Sequence, residues 1–306
     1  MRLSINYFFC LLLIPALGYS QQVRKDLAYL GQNPPSETPE VFAPNLISLA
    51  TEYEFGSVFN ADGTEFYYGV DTGNNTEIRY TKLVKNKWST PKTILSHHKY
   101  GFNDPFLSPD ENRLYFISRR SLDGKSAKQE YDIWYVEKQG NNWSKPINAG
   151  SNINTKNDEY YISFTENGTM YFSSNKRNEA NRKQSFDIYS SEFKNGKFQK
   201  AVLLSDAINT EYYEADVFID PAENYIIFCA RRPDGLGRGD LYVSFKNTDE
   251  TWTKSINMGD TINTKGHELC PFVTKDGNYF FYTSNQDIYW VSTIIFEELK
   301  KKSQQN

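Results

Sequence analysis

The length, composition and charge of the chain narrow the class of protein before any motif is considered. It has 306 residues, of which 34 are Lys or Arg and 38 are Asp or Glu, so its formal net charge is −4. The 22 Tyr, 21 Phe and 5 Trp are too many aromatic side chains for a disordered chain, and the mean hydropathy of −0.66 excludes a polytopic membrane protein. The near balance of charge excludes a strongly basic nucleic-acid binder, and the length allows two average domains or one large all-β domain.

The first 20 residues have the pattern of a secretory signal peptide. Met1-Arg2 begins a short basic region, an apolar run follows over residues 7–17, and Gly18-Tyr19-Ser20 places small residues at the −3 and −1 positions of a cleavage site. The run is shorter than the ~20 apolar residues of a spanning helix, so we expect no transmembrane segment in the mature chain. We therefore predict an exported protein, periplasmic or secreted, with residues 21–39 as an N-terminal extension.

The mature chain keeps two cysteines, Cys229 and Cys270. Export would permit one bridge between them. Both also suit buried strand positions, where a free thiol behaves as a small apolar side chain. The sequence leaves both readings open.

The rest of the chain repeats with a period of about 55 residues. An acid–aliphatic–aromatic string stands at 132–134, 187–189, 240–242 and 287–289, with a weaker copy at 77–79. Ile-Asn-Thr occurs at 153–155, 208–210 and 262–264. Between these strings lie pairs of short aromatic and β-branched runs separated by a polar turn, which indicate β-hairpins.

Two hairpins in each period give four strands, labelled A to D, which is the sequence signature of a β-propeller blade. The last copy lacks its aromatic-x-x-Pro strand D, and Phe42-Ala43-Pro44 has the same aromatic-x-Pro form as the segment 143–146, so Phe42 to Ile47 is the candidate closing strand. We predict an all-β, five-bladed propeller over residues 40–296, closed by an N-terminal strand. Six blades are the alternative, and residues 297–306 are expected to form a charged tail.

One hairpin and the string after it resemble a known family. Pro105-Phe106-Leu107-Ser108-Pro109-Asp110, continued to Tyr115-Phe116 and Asp132-Ile133-Trp134, is similar to the TolB-type, WD40-like propeller repeat of exported bacterial proteins. The resemblance covers roughly residues 40–295. It implies an exported binding or scaffolding module, although similar propellers include peptidase accessory domains and polysaccharide lyases.

The loops between strands B and C are basic in three blades. Residues 119–131, 175–186 and 231–239 together contain eleven basic and four acidic side chains. Arg forks suit carboxylate or sulfate, so these loops are candidates for binding an acidic glycan, whereas a solvated loop surface is the structural alternative. The candidate ligand-binding residues are Arg119, Arg120, Lys176, Arg177, Arg231, Arg232, Tyr160 and Tyr213.

An acidic residue lies just before strand A in every blade, at Glu54, Asp104, Glu159, Glu214 and Glu268. Five carboxylates converging on the central channel would suit a hard cation such as calcium. Their recurrence in every blade favours a structural role, in which each accepts hydrogen bonds from loop amides or pairs with an arginine. We therefore expect no obligatory cofactor or metal.

Catalytic motifs are scarce in the mature chain. Its histidines are His97, His98 and His267, and any of them could act as the base of a uronate lyase beside Arg119 or Arg231. We expect a monomeric, non-catalytic module that recognises an envelope protein or an acidic polysaccharide through the face of the B–C loops, with no role in nucleic-acid binding. The alternative is a polysaccharide-degrading enzyme, a lyase or a hydrolase, in extracellular glycan breakdown.

Overall fold

A computed structural model describes residues 25–176 and 185–304, and the proposed signal peptide lies outside these residues. Five antiparallel sheets form the blades of a ring, so the prediction of a five-bladed propeller is confirmed. Each blade begins with its innermost strand, strand A. These strands are β2 (Tyr53–Phe59), β7 (Asn103–Leu107), β12 (Glu159–Phe164), β18 (Tyr213–Ile219) and β22 (Leu269–Val273).

Strands B and C follow strand A outward in chain order. The B strands are β3 (Glu65–Asp71), β8 (Arg113–Arg120), β13 (Met170–Ser174), β19 (Tyr225–Arg231) and β23 (Tyr279–Ser284). The C strands are β4 (Thr76–Val84), β9 (Ala127–Gln139), β14 (Asp187–Ser191), β20 (Asp240–Phe245) and β24 (Asp287–Ser292).

The outer D strands are short. They are β6 (Lys92–Leu95), β11 (Ile147–Asn148), β17 (Val202–Leu203), β21 (Ile256–Asn257) and, from the N-terminus, β1 (Glu40–Val41). The turn between strands C and D carries further two-residue strands, β5 (Lys87–Trp88), β10 (Asn142–Trp143), β15 (Phe193–Lys194) and β16 (Lys197–Phe198).

The N-terminal strand β1 closes the ring by pairing with β24, with Glu40 opposite Trp290 and Val41 opposite Tyr289. The predicted position of the closing strand, Phe42 to Ile47, was wrong, because the strand that pairs with β24 is Glu40–Val41. Phe42 donates its N–H to the Ile288 carbonyl at 2.8 Å, the bond that Ala149 makes to Ile133 after strand D of the second blade. The aromatic-x-Pro likeness was misleading because Trp143 precedes strand D of its blade, whereas Phe42 follows β1.

The repeated Ile-Asn-Thr string connects strand D to the next blade. The side-chain carboxamide of its asparagine forms two hydrogen bonds with the backbone of strand C, one through the oxygen and one through the nitrogen. Asn209 Oδ1 accepts from the Ile188 N–H at 2.7 Å, and its Nδ2 donates to the Ile188 carbonyl at 2.9 Å. Asn154 and Asn263 form the same pair of bonds in their blades. The string therefore recurs because a buried backbone needs these partners.

The two ends of the described chain pack on the ring. A helix, α1 (Ile295–Ser303), occupies most of the segment that we expected to be a charged tail, and it buries Phe296 and Leu299. At the other end, two 3₁₀ turns, Lys25–Leu27 and Tyr29–Gly31, precede β1. No helix among the described residues is long and apolar enough to cross a membrane. Cys229 and Cys270 are both buried and free, so they form no bridge with each other.

Candidate functional site

The innermost strand of every blade contains a β-bulge, and the bulged residue has a positive φ in all five blades. The equivalent residues are Gly56 (φ 53°), Asp104 (51°), Tyr161 (44°), Asp216 (51°) and Cys270 (53°). Such backbone is unusual for residues other than glycine and marks functional or strongly constrained positions. Here one backbone device is repeated while the side chain differs in each blade, and differences between blades are where a propeller can build a specific site.

These five residues form the neck of the central channel. A Cβ at position 56 would lie 3.0 Å from Asp104 Oδ1, so the glycine at this position avoids a steric clash with the Asp104 carboxyl group. Cys270 Sγ lies 3.6 Å from the same oxygen. The Tyr161 side chain reaches the fifth blade, where its hydroxyl donates to the Pro271 carbonyl at 2.9 Å. Tyr161 thus links the innermost strands of the third and fifth blades across the neck.

Asp104 and Asp216 place two carboxyl groups in this neck, and each residue is only 9% exposed. Burial and the proximity of Asp216 raise the pKa of Asp104 to about 8. Burial raises the pKa of Asp216 to about 7, against the opposing charge of Arg231. Two carboxyl groups whose pKa values lie near neutral pH can supply an acid and a base in one site.

A row of aromatic rings lies beside this neck, on the face of the B–C loops, with Phe186 buried and the three tyrosines half-buried. Tyr131 and Tyr160 have ring centroids 5.2 Å apart, Tyr160 stacks on Phe186 at 4.8 Å, and Phe186 meets Tyr213 at 5.5 Å. Burial raises the pKa of all three tyrosines, so their hydroxyls stay protonated at neutral pH and can donate hydrogen bonds. We call these four residues the aromatic row.

An arginine covers each end of the aromatic row. The Arg119 guanidinium lies 4.6 Å from the centroid of the Tyr131 ring, and that of Arg231 lies 4.7 Å from the Tyr213 ring. Both arginines are exposed, and neither forms an ion pair with a carboxylate in the described part of the chain. The structure thus brings together four of the predicted ligand-binding residues, Arg119, Tyr160, Tyr213 and Arg231.

The other predicted basic residues support the blades. Arg120, Lys176 and Arg232 lie over the aromatic ring of strand C in their blades, Trp134, Tyr189 and Tyr242. Arg232 is also held by the Glu214 carboxylate, at 3.0 Å, and by the Ile208 carbonyl, at 2.8 Å. These three side chains contact strand C, which places them away from the aromatic row. Arg177 lies outside the described residues.

Four of the five predicted channel acids occupy equivalent positions, and each accepts hydrogen bonds from the loop that enters its blade. Glu159 accepts from the Thr155 N–H at 3.0 Å and the Thr155 hydroxyl at 2.8 Å. Glu268 makes the same bonds to Thr264, Glu214 does so to Thr210, and Glu54 accepts from the Leu49 N–H. This is the structural arrangement that recurrence in every blade favours.

Asp104 is the exception, and its assignment to this set was wrong. Phe102 takes the place of the glutamate in the second blade, and Asp104 lies two residues later, at the bulge. In the third, fourth and fifth blades the acid lies four residues after the Thr of Ile-Asn-Thr, but no such string precedes the second blade. The prediction therefore rested there on the acid closest to strand A, which is not the equivalent residue. Asp216, Tyr131 and Phe186 were missed altogether, although counting two residues beyond each glutamate would have found Asp216.

The histidines lie apart from the acids and tyrosines of the neck. His97 stacks on Tyr100 with ring centroids 3.9 Å apart and on His98 at 4.7 Å. The Nε2 atom of His267 lies 3.5 Å from Cys229 Sγ, and burial together with Arg231 and Arg238 lowers the pKa of His267 to about 4. No hydrogen bond joins a histidine to a tyrosine, arginine or acid of the channel among residues 25–176 and 185–304. Within the same ranges, no cluster of three or more His, Cys, Asp or Glu side chains has the arrangement of a metal site.

Comparison with known proteins gives a fold and no sequence family. No family model and no curated sequence matches the chain. TolB from Acinetobacter baumannii matches with a TM-score of 0.50 at 15% identity, over 78% of this chain and 53% of that one, so this chain spans about half the length of that protein. A protein of unknown function from Dyadobacter fermentans matches with a TM-score of 0.50 at 12% identity, over 81% of this chain and 78% of that one.

A thermostable family-43 glycoside hydrolase also matches, with a TM-score of 0.50 at 14% identity, over 79% of this chain and 89% of that one. At these identities the likeness extends to the fold alone. The chain has the fold of a TolB-like, five-bladed β-propeller.

Proposed function

We propose that the protein is an exported binding module that takes an acidic polysaccharide on the aromatic row. The observation that carries the proposal is the row itself, Tyr131, Tyr160, Phe186 and Tyr213, with a guanidinium at each end. Flat rings pack against the apolar faces of sugars, and Arg forks bind carboxylates in pairs of hydrogen bonds. The apolar run and cleavage pattern of residues 1–20 support export.

Charge at this mouth also favours an anion. Arg119 and Arg231 are joined there by exposed Arg238, and the three are spread over two blades. Of the acids that lie nearby, Asp104 has a pKa of about 8 and is mostly neutral near pH 7, and Asp216, with a pKa of about 7, is about half ionised. Asp158 accepts the Tyr131 N–H at 2.9 Å, and the three guanidinium groups outnumber the negative charges. The mouth therefore presents positive charge in a protein whose net charge is −4.

The test compares two forms of one polymer, polygalacturonate and its methyl-esterified, neutral counterpart, by isothermal titration. Charge-assisted hydrogen bonds contribute roughly 1.5–3 kcal/mol each, so we expect Arg119→Ala/Arg231→Ala to weaken binding of polygalacturonate at least about tenfold. The matched control, Lys85→Ala/Lys87→Ala, removes the same charge from an exposed turn between strands C and D and should leave binding nearly unchanged. Equal losses in both variants, or equal binding of both polymers, would refute the site.

A second candidate, a glycan hydrolase, is favoured by one specific observation, the carboxyl pair Asp104 and Asp216 beside the aromatic row. Glycoside hydrolysis uses two carboxyl groups, one protonated and one ionised, on either side of the scissile bond. The same titration mixtures are therefore assayed for new reducing ends. Product that disappears in Asp216→Asn would establish the enzyme, and binding without product would leave the non-catalytic module.

A further inference from the structure

The opposite mouth of the channel, at the turns between strands A and B, contains a separate funnel of about 530 Å³. Ligand sites usually have volumes of about 300–1,000 Å³. Its floor is a cluster of three phenylalanines from different blades. Phe272 lies between Phe106 and Phe218, with centroids 6.0 and 6.1 Å away and rings nearly perpendicular. Above this floor the wall is apolar, with Val58, Phe164, Pro109 and Pro221.

The residues that line this funnel include no member of the aromatic row and neither Arg119 nor Arg231. The two arginines lie at the C-terminal ends of the B strands β8 and β19, whereas the funnel is lined by the turns between strands A and B. A ligand in the funnel would therefore contact neither arginine.

Carboxylates surround the funnel. Among the residues that line it, Asp110, Glu111, Glu166 and Asp220 are acidic and only Lys275 is basic, so four negative charges face one positive charge. Every A–B turn carries at least one acid, because Asp62 and Asp276 complete the ring in the first and fifth blades. Glu166 is exposed and its carboxylate makes no hydrogen bond or ion pair with the described residues. The lining of the funnel thus carries a net negative charge, from acids of the second, third and fourth blades, in contrast to the mouth at the other face.

We propose that this funnel binds a basic segment of a partner protein, through an apolar side chain that enters the funnel and Lys or Arg residues beside it that meet the rim. The apolar wall supplies the energy of burial, and the acids of the lining select for positive charge. Because these acids are distributed over three blades, several positive charges spaced along a peptide satisfy them better than one compact cation.

The test uses two dye-labelled peptides, acetyl-Lys-Leu-Phe-Lys-amide and acetyl-Glu-Leu-Phe-Glu-amide, in fluorescence anisotropy. We expect the lysine peptide to bind at least about tenfold more tightly than the glutamate peptide, with an affinity that falls as salt rises. Ala222→Trp places a large ring in the exposed rim of the funnel and should weaken binding of the lysine peptide about tenfold relative to the wild-type protein. Ala61→Trp blocks the funnel from another blade and serves as a second variant should the first fail to fold.

Arg119→Ala/Arg231→Ala is the control, since it alters the other mouth and should leave peptide binding unchanged. Loss of binding in this control would place the peptide on the aromatic row and overturn the inference, as would full affinity in both tryptophan variants. Equal affinity for the two peptides, or no binding of the lysine peptide at about 1 mM, would overturn it as well. None of these outcomes depends on whether the glycan site is correct.

Discussion

Replacing the buried carboxyl of Asp216 by an amide should stabilise the protein at alkaline pH and change little in acid. In the folded state burial raises the pKa of Asp216 from 3.8 to about 7. The unfolded chain releases this proton near pH 3.8, so between the two values the folded state binds more protons than the unfolded state. Stability must then fall as the pH rises from about 4 to about 7, and it stays low above that range.

The size of the effect follows from the shift of the pKa. A shift from 3.8 to about 7 corresponds to at most about 4 kcal/mol, at 1.36 kcal/mol per unit. Water entering the channel and relaxation around the charge reduce this, so we expect Asp216→Asn to be more stable than the wild type by about 1–4 kcal/mol at pH 8. Near pH 4, where both side chains are neutral in the folded state, the difference should nearly vanish.

Urea unfolding at the two pH values measures the free energy of unfolding directly. The control is Asp206→Asn, which makes the same chemical change at an exposed position in the loop after β17. A difference between Asp216→Asn and wild type that is the same at both pH values would show that Asp216 does not titrate in the neck. A stabilised but inactive or non-binding variant would mean that the carboxyl is kept for function at a cost in stability.

Two further predictions concern the ring itself. Asn209→Ala leaves the buried Ile188 N–H without its partner and should lower the free energy of unfolding, measured in urea, by about 2–4 kcal/mol. The control, Asn141→Ala at an exposed position, should be close to neutral. Equal effects of the two substitutions would count against the role of the Ile-Asn-Thr string. Phe42→Ala empties a fully buried site between Phe59, Phe66, Phe281 and Trp290 beside the closing strand, and a loss of about 3–5 kcal/mol is expected. An unchanged thermal melt of Phe42→Ala would mean that the ring does not depend on this closure.

The sequence by itself determined the architecture because the fold repeats. The blades share their hairpin turns, four of them share an aromatic on strand C, and three share the asparagine on the backbone, so the pattern appears several times and its period can be counted. Blade number and N-terminal closure followed from that count. The position of the closing strand did not, because β1 contributes only two residues to its pairing with β24 and so offers little pattern to align.

Only the tertiary structure decided which residues share a site. Asp104 and Asp216 are far apart in sequence, yet the charge of Asp216 acts on Asp104 because both stand at the bulge of an innermost strand, a feature that φ shows and residue type does not. The basic loops looked uniform in sequence, yet Arg119 and Arg231 face the channel while Arg232, a neighbour in the chain, is buried against Glu214. Successive residues of a strand point to opposite faces, so a one-residue difference separates a binding side chain from a structural one.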